Sequence, residues 1–222
     1  MADQLYIVPI LLFSVIIHEI AHGLMALRLG DTTARDMGRL TLNPIPHIDL
    51  FGSILVPLFS LMAAGSVFIA WAKPVPVNPA NFSRPRRDDV LVSAVGPFSN
   101  MVLALVCTVA VIGLALAGNA MAGAEPPFVA RGFEFLINMF YGGITLNIVL
   151  AVFNMIPVPP LDGSHILATL LPEGAARRYR SIGFFGILII LFIMRVPLVS
   201  AAFGDVIRGI FAPFHAMIEL FV

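Results

Sequence analysis

Charge is scarce in this chain. Only 12% of its 222 residues are Asp, Glu, Lys or Arg, against about 25% in an ordinary globular domain. Thirteen basic residues balance thirteen acidic ones, so net charge singles out no polyanionic partner and nothing points to nucleic acid. A single cysteine, Cys107, excludes an intramolecular disulfide. Set in an apolar run, it reads as a small buried hydrophobe. Long polar stretches are missing too: no connection exceeds about 20 residues, too few for a separate domain with its own core. The start, MADQLYIVPILLF, has no basic region and no small-residue cleavage site, so its apolar run is expected to be retained rather than removed.

What fills the chain is hydrocarbon. Hydrophobic residues make up 59% and the mean hydropathy is +0.97, which describes an integral membrane protein. Apolar segments fall at 5–27, 52–70, 90–117, 133–156, 181–199 and 200–222. The expected fold is an all-α polytopic bundle of about five to six transmembrane or re-entrant helices. It forms one domain over 1–222, with a core at 5–170 and C-terminal helices at 181–222. The last segment carries Asp205, Arg208, His215 and Glu219, so it is expected partly at the interface or in the bundle. His215 and Glu219, four residues apart, read as one face of an interfacial helix.

Two Pro/Asn/Gly-rich stretches, TTARDMGRLTLNPIPHIDLFG and AWAKPVPVNPANFSRPRRDD, predict loops and short strands (GRLTL, KPVPV) at the membrane boundary. Segment 52–70 is interrupted by Pro57 and Gly65. If it turns back instead of crossing, Arg28, Arg35, Arg39, Lys73, Arg84, Arg86, Arg87, Arg177, Arg178 and Arg180 all fall on one side. The positive-inside rule makes that side the cytoplasm. The N-terminus is then extracytoplasmic, and the cluster Arg84–Arg87 sits by anionic headgroups.

Inside the first apolar segment stands H18-E-I-A-H22. On a helix, positions i and i+4 share a face, so both imidazoles point the same way and suit one zinc ion. Glu19, rotated about 100° from His18, can reach a water on that ion as general base. Ionisable residues in a membrane span are rare and functional by default. The third ligand must come from elsewhere, with Asp31, Asp36, His47, Asp49, Asp162 and His165 as candidates. Asp162 stands out. In N154-M-I-P-V-P-P-L-D162-G163 an apolar helix runs into prolines that cannot continue it, and a carboxylate presented from such a break at membrane depth calls for a cation. Asn147 and Asn154, seven residues apart, share a helical face. Asn147 either holds substrate backbone or bonds helix to helix, and Asn154, beside the prolines, leans toward the site. His47 either lines the site or is a loop histidine at the interface. His165 reads as a neighbour of the site more than a ligand.

Three motifs in order, H18-E-I-A-H22, G96-P-F-S-N100 and N154-M-I-P-V-P-P-L-D162-G163, resemble the site-2 protease family of intramembrane zinc metalloproteases. G38-R-L-T-L-N-P and W71-A-K-P-V-P-V-N78-P resemble a compact bacterial subgroup of it. The resemblance implies one zinc ion per chain held by His18, His22 and Asp162, with Glu19 catalytic. It implies a transmembrane protein substrate cut within or near the bilayer of the cell membrane, with the active site toward the cytoplasm. Gly96 and Pro97 are expected to open a helix tightly against the motif helix, and Asn100 to bond within the bundle. No PDZ or nucleotide-sensing insertion is expected. The rival reading is a zinc-binding transporter or a scaffold without proteolysis. It would place charged residues on several spans, whereas the third and fourth segments offer mainly Asn and Thr.

Overall fold

The computed structural model describes residues 7–55, 72–121 and 126–222. Four helices are long and apolar enough to cross a membrane: α1 (Ile7–Arg28), α3 (Pro85–Met121), α4 (Pro127–Asn154) and α8 (Pro197–Glu219). Between and beside them lie the single turn α2 (Thr33–Asp36) and the short helices α5 (Asp162–Leu170), α6 (Glu173–Arg180) and α7 (Gly186–Ile193). The protein is an all-helical, multi-pass membrane protein.

The leucine-, isoleucine- and alanine-rich α1 runs unbroken to Arg28. There Gly30 adopts φ 104° and the Asp31 N–H reaches back to the Ala26 carbonyl at 2.9 Å. This left-handed glycine cap satisfies a carbonyl the helix would otherwise leave open. At 37 residues, α3 is roughly 55 Å long and overshoots a hydrocarbon core of about 30 Å. It forms the spine: α1, α4, α5 and α8 all pack against it. Ala104, Cys107, Val111, Ile144, Ile148 and Ile218 make the central apolar cluster. Gly143 lets α1 and α3 close on α4, since a Cβ there would stand 3.0 Å from both Cys107 Sγ and Ile10 Cγ1.

Several expectations shift. Gly96 and Pro97 do not open a helix but lie well inside α3, which begins at Pro85, because the polar R-R-D-D turn is itself helical. Among the described residues there is no strand. In K73-P-V-P-V77 the prolines remove every second N–H from any ladder. Two of the three remaining amides are taken up singly: Lys73 N–H by the His47 carbonyl at 2.8 Å, Val75 N–H by Glu19. Segment 181–199 is split by a turn at Gly183–Phe185. Beyond that turn, α7 has eight residues, about 12 Å, too short to cross. The body of 52–70 lies outside the described residues. The elements on either side meet at one end of the bundle, where Ala26, Phe82 and Val92 pack together. One face of α8 (Ile207, Ile210, Phe211, Phe214, Ile218) enters the core, and Asp205 and Arg208 pair with each other on its exposed side.

The connection after α1 is organised by Asp31, which is fully buried. Its carboxylate accepts from the Thr33 hydroxyl (2.5 Å) and amide (3.1 Å), the Asn78 amide (2.7 Å) and the Asn81 side chain (2.7 Å). Burial alone would raise its pKa, but the Thr33 hydroxyl and the other donors hold it below the usual carboxylate range. Such a group stabilises the fold above its unfolded pKa of about 3.9, and the contribution is lost as pH falls through the lower folded value. Asp31→Asn is expected to cost about 1.5–3 kcal/mol near neutrality. In paired thermal melts the gap between variant and parent should narrow below about pH 4.

Candidate metal centre

Two elements, α1 and α5, bring three donor groups together beside α3. His18 and His22 come from α1, one turn apart, their rings edge to face with centroids 4.6 Å apart. Asp162 comes from the first turn of α5. Between α4 and α5, residues 155–161 cannot be helical because of Pro157, Pro159 and Pro160. They form tight turns closed by Val158 N–H to the Ile156 carbonyl (2.8 Å) and Leu161 N–H to the Val158 carbonyl (3.1 Å). The Tyr179 hydroxyl ties the loop to α6 by donating to the Pro157 carbonyl at 2.7 Å. Gly163 is forced by packing: a Cβ there would run into the Met155 carbonyl.

The three donor groups lie within 4.8 Å of one another. His18 Nε2 is 3.0 Å from His22 Nε2 and 3.2 Å from Asp162 Oδ2, and His22 Nε2 is 3.4 Å from Asp162 Oδ1. Separations of this size let one ion stand about 2.0–2.1 Å from a donor of each group. Both histidines are buried, and Asp162 Oδ2 is a buried atom without a hydrogen-bond partner among the described residues. Buried polar atoms are seldom left unpaired, so this one fits a cation.

Hydrogen bonding fixes which nitrogen of each ring is bare. His22 Nδ1 lies 2.7 Å from the Val92 carbonyl, which only accepts, so Nδ1 carries a proton and, in the neutral ring that a metal needs, Nε2 keeps the lone pair. For His18 the same result is reached through two amides. The Gly143 carbonyl accepts from Asn147 Nδ2 (2.9 Å), so Asn147 Oδ1 faces Asn100 and accepts from its Nδ2 (2.9 Å). Asn100 Oδ1 therefore faces His18 Nδ1 at 2.6 Å and must receive its proton. Both Nε2 atoms thus offer lone pairs to a common point, the arrangement metal-binding imidazoles need. Asn100, Asn147 and Thr108 are all fully buried. Gly96 makes room for both rings: a Cβ there would collide with His22 Nε2 and lie 2.7 Å from His18 Cε1.

The remaining candidates are placed apart. Glu19 accepts from Val75 N–H at 2.7 Å through Oε2. Asn154 donates back to the Leu150 carbonyl of its own helix. His47 is buried, with Nε2 at 2.9 Å from the Thr41 carbonyl and its own carbonyl holding Lys73. It braces the 73–77 strap and does not join the metal cluster. Asp36 pairs with Arg35 and Thr32, Asp49 caps Gly52, and His165 pairs with Asp89 at 3.2 Å. One contributor was hidden from sequence reasoning: Val75 carries no side-chain signal, because it acts through its amide. Asn100, expected to bond within the bundle, does so between His18 and Asn147.

The family model described as Peptidase family M50 matches residues 121–194, which span α4, the proline loop and α5 to α7. A Bacillus subtilis protein, provisionally named zinc metalloprotease YwhC, is 38% identical over 195 residues, covering 88% of this chain and 82% of its own. The chain belongs to peptidase family M50, the site-2 protease family. Other members with the same provisional zinc-metalloprotease naming are Rip2 of Mycolicibacterium smegmatis, 28% identical over 90% of this chain and 70% of its own, and Rip2 of Mycobacterium tuberculosis, 27% identical with the same coverage. No solved structure matches the chain.

Replacing Asn147 by Leu breaks the amide relay without touching a metal-binding atom. Its expected effect is a roughly 10- to 100-fold weaker metal affinity, measured by competition with a chromophoric chelator, with helix content unchanged by circular dichroism. Gly96→Ala, which drives a methyl into both rings, should lose metal more completely.

Proposed function

We propose that this M50 member is an intramembrane zinc endopeptidase that hydrolyses peptide bonds of transmembrane protein substrates. The observation that carries the reading is the convergence of His18 Nε2, His22 Nε2 and the Asp162 carboxylate, with Glu19 following His18 directly on a helix apolar enough to span a bilayer. Zinc at these three donors would polarise the scissile carbonyl and acidify a water, leaving its fourth position open. Glu19 then takes the proton from the attacking water and returns it to the leaving amine. The Val75 amide, bonded to Oε2, fixes the carboxylate plane and leaves Oε1 for the proton. Asn100 and Asn147 hold His18 in the tautomer that binds metal. A helical substrate has no free peptide groups, so it must unwind before Glu19 can act on it.

Sidedness is set by charge. Ten of the thirteen basic residues belong to segments that meet at the end where α1 stops and α3 begins. That end is the cytoplasmic one by the positive-inside rule, and the site lies within the bundle near it.

Glu19→Gln is the decisive substitution. Purified into liposomes with a membrane-protein substrate, it should retain one zinc per chain and lose about 10²- to 10⁴-fold in cleavage rate. Undiminished cleavage by this variant would refute the mechanism. Asp162→Asn should lose zinc and activity together.

A further inference from the structure

Outside the metal centre, a cleft of about 540 Å³ opens between the first turn of α3, the later part of α5 and the length of α6. Its walls carry Arg86, Arg177, Arg180 and His165, against two carboxylates, Asp89 and Glu173. The carboxylates do not neutralise it. Asp89 is largely buried and already engaged twice, with His165 Nδ1 at 3.2 Å and Arg180 at 3.6 Å. Glu173 is 83% exposed on the rim, 3.7 Å from an Arg86 that is itself 63% exposed, an arrangement worth little in water. Arg177 has no carboxylate within 4 Å among the described residues. The cleft therefore presents guanidinium groups with unused donors around a floor that is partly apolar, at Pro85 and Ala168.

We propose that this cleft binds a phosphate group, held by Arg86 and Arg177 with Arg180 behind them. Guanidinium forks match the paired oxygens of phosphate. The position suits a lipid headgroup: the cleft lies at the end of the bundle where α1 stops at Arg28 and α3 begins at Pro85, and where Arg84 and Arg87 also cluster. Basic pockets between spanning helices at such a boundary take anionic headgroups. Asp89 has a separate part. By holding His165 and Arg180 together it ties α5, which begins with Asp162, to both α3 and α6, so the phosphate site and the metal site share one scaffold without sharing a binding atom.

The test uses the full chain carrying Glu19→Gln, so that binding is read without any proteolysis and its failure does not bear on the proposed activity. In nanodiscs of mixed phosphatidylglycerol and phosphatidylcholine, lipid released with the protein is counted by native mass spectrometry. In parallel, sn-glycerol 3-phosphate is titrated against the protein in detergent and followed by thermal shift. The parent should retain phosphatidylglycerol over phosphatidylcholine, and Arg86→Gln/Arg177→Gln should lower that preference about tenfold. Arg131→Gln, an exposed arginine at the opposite end of α4, should leave it unchanged. A shift with glycerol phosphate that the double variant abolishes, without lipid preference, would assign the site to soluble phosphate compounds. No preference and no shift would overturn the proposal. So would equal loss in Arg131→Gln, or binding of an acidic peptide in place of either phosphate probe.

Discussion

An imidazole can give a lone pair to a cation only while its other nitrogen is held as N–H. That hold has to be built into the packing. Here it comes from two carbonyls that accept and never donate. Val92 fixes His22 directly, and Gly143 fixes His18 through Asn147 and Asn100. Each amide in the relay is fully buried, and every link depends on the one before. The packing of α1 and α4 against α3 is therefore also an electronic constraint. A shift of one helix that broke an amide contact would release the ring and leave buried polar groups unsatisfied, each costing about 1–3 kcal/mol.

The same constraint explains the glycines and prolines around the centre. The rings fit only because Gly96 has no side chain, and Asp162 reaches them only because prolines end α4 and let the chain double back. Gly163, the second residue of α5, then packs directly against the Met155 carbonyl. Residues that would be liabilities in an ordinary helix are what bring a carboxylate into contact with two histidines about 140 residues away.

Much of this was legible in the residues. H-E-x-x-H signals itself because helical periodicity puts i and i+4 on one face. Asp162 signals itself because a carboxylate next to three prolines in an apolar context needs a partner. The long helices are dictated by hydropathy. What stayed hidden depends on contacts between distant segments or on backbone atoms. The role of Asn147 was open between substrate and neighbouring helix until its partner, Asn100, was in place. The Val75 amide on Glu19 leaves no trace in side-chain chemistry. The strand expected at KPVPV failed because a β-like composition still needs free amides to pair, and Pro74 and Pro76 remove them; at GRLTL the Arg39 amide turns back to the Ala34 carbonyl. Gly96 and Pro97 read as a helix start because glycine and proline usually punctuate. In α3 they serve instead as a notch for two rings.

The account rests on two imidazole nitrogens and one carboxylate meeting at a single ion. Zinc K-edge X-ray absorption on the zinc-loaded protein examines that set directly. The expected first shell holds two imidazole nitrogens, with oxygen donors completing it, at about 2.0–2.2 Å. A shell containing sulfur, or three imidazoles, would contradict it.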